Sequence, residues 1–142
     1  MKKKIIAMTL ITLLVVCMTA CGSSSSTSTE KSKPLDLTGT WKQTNSGSDD
    51  SWQQAKIKDK IITIYWISDN GDTKSLYWKG SYKAPAKSTD TYSWTSKGDT
   101  DAMDSALLAS TDKTKKISYS NGVLSYKASA LGTTTTVKLE KK

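Results

Sequence analysis

The sequence predicts an all-β fold, an eight-stranded antiparallel up-and-down barrel with one short helix. Three observations carry this expectation. First, turn signals recur at short spacing from Ser46-Gly47-Ser48-Asp49-Asp50 to Gly132. Asn-Gly, the strongest short hairpin cue, appears at Asn70-Gly71 and again at Asn121-Gly122. Second, the runs between these turns alternate. In Leu76-Tyr77-Trp78-Lys79-Gly80-Ser81-Tyr82-Lys83 the lysines share one parity, while Leu76, Trp78 and Tyr82 share the other. Ala55-Lys56-Ile57-Lys58 and Val137-Lys138-Leu139-Glu140 split the same way. That period of two belongs to antiparallel sheet wetted on one face. Third, the eight runs are joined mostly by short turns, which suggests an up-and-down meander closed on itself.

The strand-like runs fall at 39–46, 52–58, 61–68, 73–83, 91–96, 115–120, 123–129 and 133–140. The run 61–68 is apolar on both faces, so Trp66 can point either way. Its second face (Ile61, Thr63, Tyr65 and Ile67, with Tyr77 beside Tyr65) is either an exposed stripe or is covered by the helix. The run 133–140 starts with four β-branched threonines. The inward parity collects Trp41, Ile57, Trp78, Trp94, Ile117, Leu124, Tyr126 and Leu139, among others. Eight strands enclose a space just wide enough for side chains or one small ligand, and so many rings fill much of it. Only Asp101 to Ala109 breaks the pattern, and it reads as the helix. Asp99 or Asp101 caps it and Asp104 lies in its favourable first turn.

Ahead of this domain (35–142), Lys2-Lys3-Lys4 and the apolar run Ile5 to Val16 form the n- and h-regions of a signal peptide spanning 1–20. The run is short of the ~20 apolar residues of a membrane span. Thr19-Ala20-Cys21-Gly22 resembles the bacterial lipoprotein lipobox, with Met18 where Leu is usual. The resemblance implies cleavage before Cys21 and a diacylglyceryl, palmitate-type anchor on its thiol. Two acyl chains hold a protein stably at a membrane where one does not. Residues 21–34 are then the lipidated Cys and a Ser-rich tether, whose flexible part reaches ~20 Å on average and ~45 Å when stretched. The expected location is the extracytoplasmic face of the cell membrane.

Composition narrows the function. The chain has no His, no Arg and no Phe, so all 21 basic residues are Lys. Histidine-dependent catalysis and zinc sites are excluded, as are arginine clamps for phosphate or carboxylate. Without Lys2, Lys3 and Lys4 the 21 lysines fall to 18, against 13 acidic residues. Export and the lack of Arg argue against a nucleic-acid partner. No enzyme activity, cofactor or metal site is expected, and a monomer is.

Gly39-Thr40-Trp41 at the start of the first strand resembles the G-x-W motif of lipocalins and related calycin barrels, with Asp36 just upstream. The resemblance implies that Gly39 and Trp41 form the barrel-closing motif. It also implies a basic residue over the Trp41 ring, for which Lys138 or a C-terminal Lys stands in place of the usual Arg. Finally, it implies a binding module for a small apolar ligand at the cell envelope. Trp66, Trp78, Tyr82 and Trp94 are the candidate lining of an aromatic cup at the open end. The alternative is a protein-interaction module, a hydrolase inhibitor or surface exclusion factor, that uses an exposed aromatic face toward an envelope protein.

Overall fold

The structure is a computed structural model that describes residues 32–142. The residues expected to form the signal segment, Cys21 and the expected tether as far as residue 31 lie outside the described residues. Eight strands are present: β1 (Gly39–Gln43), β2 (Trp52–Lys58), β3 (Ile61–Ser68), β4 (Thr73–Ser81), β5 (Thr91–Lys97), β6 (Thr114–Ser120), β7 (Val123–Ala130) and β8 (Thr133–Lys141). One short helix, α1 (Thr100–Asp104), lies between β5 and β6. The strands form a single antiparallel sheet in the order β4-β3-β2-β1-β8-β7-β6-β5, so chain neighbours pair and β1 joins β8. No described helix is long and apolar enough to cross a membrane.

Closure is less complete than a regular barrel requires. The sheet curls into a half-barrel whose edge strands, β4 and β5, meet at one isolated bridge, Gly80 to Gly98. Side chains replace the missing ladder. Trp78 Nε1 donates to Ser96 Oγ at 3.0 Å, Trp94 Nε1 to the Ser81 carbonyl at 3.2 Å, and the Lys97 amide to Ser81 Oγ at 2.9 Å. The seam is tight because glycine occupies both bridge positions. A Cβ on Gly80 would lie 2.5 Å from Ser96 Oγ, and one on Gly98 would lie 2.7 Å from Met103 Cε.

The helix is shorter than the expected 101–109. Asp99 caps it by accepting from the Ala102 amide. Ser105 then ends it, with its hydroxyl turned back to the Ala102 carbonyl. Only Met103 is buried, against the seam. With one anchoring residue the helix has nothing to pack a further turn against. Ala106 to Ala109 instead form a turn that returns to β4, where the Ser110 amide donates to the Tyr77 carbonyl.

Two other departures have local causes. β1 stops at Gln43 rather than 46 because the Asn45 side chain takes over the ladder: its amide donates to the Thr136 carbonyl and its oxygen accepts from the Lys138 amide. In β4 the register slips between Ile64–Trp78 and Tyr65–Leu76, leaving Tyr77 as a bulge. A bulge puts two successive side chains on one face, so Tyr77 is buried beside Trp78. The expected stripe on the outer face of β3 therefore lacks Tyr77. Of its other members Ile67 is buried, Lys74 lies over the Tyr65 ring, and Ile61 alone of the apolar ones is exposed.

The interior is filled through most of its length. The end from which the chain enters is stoppered by Leu37, whose carbonyl accepts from Trp41 Nε1 at 3.0 Å. Gly39, at φ +121°, lets the Lys141 side chain pass close by. Lys141 Nζ stands 5.8 Å from the Trp41 ring centroid and donates to the Asp36 carbonyl. A C-terminal lysine thus occupies the position over Trp41.

Candidate functional site

At the other end of the half-barrel four connections converge: 44–51, 69–72, 98–113 and the Leu131-Gly132 turn. Two cavities open between them and share Trp66 and Ala130 as a partition.

The first is a cup of about 380 Å³. One wall is the half-buried Trp66. The facing wall is made of small inward-pointing side chains, Ala128 and Ala130 of β7 with Thr133 and Thr135 of β8. Trp52 and the 45–51 loop complete it. No charged residue lines this cup, in a chain where 24% of residues are charged. Aromatic, methyl and hydroxyl surface without charge suits an uncharged, largely apolar ligand.

The second cavity is a groove of about 430 Å³ on the other side of Trp66. It exists because the sheet splits. β6 pairs with β7 only from Ile117 to Ser120, whereas β7 continues along β8 to Ala130. Lys115 spans the split. Its ammonium donates to Asp112 at 2.9 Å and to the Lys127 carbonyl at 3.1 Å, and it lies 5.2 Å from the Tyr77 ring and 5.1 Å from Trp78. Lys115 is buried while Asp112 is half exposed. The hydrogen bond from Lys115, with one from the Ser110 hydroxyl, holds the Asp112 carboxyl below its ordinary range. Three exposed large apolar side chains ring the groove: Leu107 at 98% and Leu131 at 105% stand fully in solvent, and Leu108 at 53% is half exposed.

Beneath both cavities lies a polar layer. Tyr126 Oη donates to Gln53 Oε1, and burial pushes the Tyr126 phenol well above its ordinary value. Gln53 Nε2 and the Tyr77 hydroxyl are buried with no partner in the protein, and Tyr77 also lines the groove. Buried polar atoms in native proteins are nearly always bonded, so these two mark where a ligand or a water would be held.

The four aromatic residues expected to line one cup do not come together. Trp66 alone reaches the mouth. Trp78 is buried under the seam on Ser96. Tyr82 and Trp94 pack edge to face at 5.1 Å toward the opposite end, where burial raises the Tyr82 phenol above its ordinary range. Sequence reasoning missed Trp52, Leu107, Leu108 and Leu131. The signal for Leu131 was present: Leu-Gly stands where a two-residue hairpin turn favours Asn-Gly.

Comparison with protein-family models, curated proteins and solved structures finds no match for this chain.

Proposed function

We propose that this protein is a lipid-anchored, extracytoplasmic lipoprotein whose lipocalin-like half-barrel binds rather than catalyses, and that its cup takes a small, uncharged, mainly apolar ligand. The observation that carries the reading is the uncharged cup between Trp66 and the small-residue wall of β7 and β8. Lipocalin-like character is supported by the meander, by the buried Trp41 after Gly39 and by the lysine over its ring. The anchor rests on the lipobox-like residues before Cys21.

The cup is tested by fluorescence titration of the full chain with an uncharged solvatochromic dye such as Nile red. Saturable dye emission with quenching of tryptophan is expected. Thr135→Trp, at an exposed strand position that accepts a large side chain, should fill the cup and abolish both signals. Binding unchanged by Thr135→Trp would overturn the assignment.

A second reading has its own observation. The leucines at the mouth form an apolar rim, and exposed contiguous apolar surface marks protein contact sites. On this reading the module also engages an envelope protein.

A further inference from the structure

The inner face of β2 carries one polar side chain among apolar ones. Gln53 is followed on that face by Ala55 and Ile57, and all three are buried. Gln53 is the inward residue of β2 nearest the mouth, and it lies directly opposite Trp66 in the β2–β3 register. On the facing wall the inward side chains of β7 run down from the mouth as Ala130, Ala128 and Tyr126. Ala130 and Ala128 line the cup, so Tyr126 comes next below them. The hydrogen bond from Tyr126 Oη to Gln53 Oε1 therefore crosses the interior from wall to wall beneath the cup. The Gln53 backbone amide donates to Gln43 Oε1 at 2.8 Å, and Gln43 itself lines the cup. The floor of the cup is thus the Gln53–Tyr126 pair.

This floor has one unsatisfied group. Gln53 is 0% exposed, and its Nε2 has no partner within the protein. The amide oxygen is taken by the Tyr126 hydroxyl, so the nitrogen end is the free one. A side-chain amide nitrogen carries two donors and no acceptor. A fixed donor at the bottom of an apolar site orients what enters it, and its complement is an acceptor oxygen. A charged group does not suit the place. No charged side chain lines the cup, and burying a charge without a counter-charge is costly. The buried Lys115 ammonium is already bonded to Asp112 and to the Lys127 carbonyl.

From the free donor at the floor and the uncharged apolar walls above it, we infer that the ligand of the cup is neutral and carries a carbonyl-type acceptor oxygen held by Gln53 Nε2. Its apolar part lies against Trp66 and the small-residue wall. This rests on the cup reading above and adds the chemical class of the ligand. The other unpartnered polar group, the Tyr77 hydroxyl, is in the wall of the groove on the far side of Trp66 and supplies a control.

The test uses the full chain and three probes of similar shape. These are butylbenzene, butyrophenone (a carbonyl in place of the methylene next to the ring) and phenylbutyrate, which adds a carboxylate. Binding is followed by amide-proton NMR, with the Gln53 side-chain protons assigned by their proximity to the Tyr126 ring. Butyrophenone should bind saturably and move those protons downfield, a shift that butylbenzene does not produce. Gln53→Met, close in volume but without the donor, should weaken butyrophenone about tenfold and leave butylbenzene within about twofold. Tyr77→Phe should change neither, and Thr135→Trp should remove both. Butyrophenone that fails to bind, or that binds without moving the Gln53 protons, overturns the inference whether or not Gln53→Met folds. Unchanged butyrophenone affinity in Gln53→Met overturns it too, and would assign the amide to a water. An equal loss in Tyr77→Phe, or tighter binding of phenylbutyrate than of butyrophenone, does the same. If butylbenzene and Nile red bind while any of these results is found, the cup stands and only the acceptor class falls. If none of the probes binds and Nile red does not, the cup reading falls and this inference with it.

Discussion

Gly80→Ala tests how the half-barrel is held shut. The added Cβ would lie 2.5 Å from Ser96 Oγ, 2.6 Å from the Lys97 carbonyl oxygen and 2.8 Å from Trp78 Nε1. Ordinary contact begins near 3.4 Å, so the seam must open by most of an ångström. Two of the three atoms cannot yield cheaply, one being backbone and the other belonging to a tryptophan that is fully buried. Opening the seam also pulls apart the 3.0 Å bond from Trp78 to Ser96. An unsatisfied buried donor costs ~1–3 kcal/mol and overpacking a further ~1–3 kcal/mol. The expected loss is about 4 kcal/mol, or a fall in Tm on the order of 15 °C for a domain of this size. The assay is thermal unfolding followed by near-ultraviolet circular dichroism, which reads the packed tryptophans. Gly47→Ala is the control. Nothing lies within 4 Å of its added Cβ, and it should stay within ~0.5 kcal/mol of the parent. A Gly80→Ala protein that melts within ~2 °C of the parent would refute the claim that close approach at this bridge joins the two edges.

Three further outcomes follow from the polar layer and the mouth. Asp112→Ala should destabilise by about 2–3 kcal/mol, because it strands the buried Lys115 ammonium, whereas Lys115→Met, which removes the charge itself, should cost about 1 kcal/mol; urea unfolding of both variants and the double mutant checks the order. The Asp112 carboxyl is held below its ordinary value of 3.8 in the folded state. Its contribution is therefore complete above about pH 5 and is lost as pH falls through 4 and below, so the parent should lose more stability than Asp112→Asn between pH 5 and pH 3. Tyr126→Phe leaves both polar atoms of the buried Gln53 amide unpartnered and should cost about 2 kcal/mol by the same assay, with no cost contradicting the Tyr126–Gln53 bond. Leu131→Asn should raise stability by about 0.5–1 kcal/mol, since Asn tolerates the left-handed turn position and Leu does not. A loss of stability there would mean that Leu131 packs within its own domain.

The strands were legible because each obeys a local rule. Lys56, Lys58, Lys79 and Lys138 mark the outward parity of β2, β4 and β8 by themselves, and Asn121-Gly122 sets a two-residue turn that the structure keeps. What escaped depends on contacts distant in sequence. The bulge at Tyr77 arises from pairing between β3 and β4 and turns a residue of outward parity into the core. Lys115 reads from sequence as one more solvated lysine, and only the split between β6 and β7 gives it a buried place. The site was half legible. Trp66 was identifiable as an aromatic of undecided direction. The depth of Trp78, Tyr82 and Trp94 along the interior is set by sheet curvature and by the Leu37 stopper, neither of which alternation reports.

Native mass spectrometry of the full-length protein, purified gently from the cells that make it, tests the binding account most directly. The account expects a reproducible extra mass from a small uncharged molecule that is lost on denaturation and is absent from Thr135→Trp. A bare protein mass, or an extra mass that Thr135→Trp retains, would contradict it.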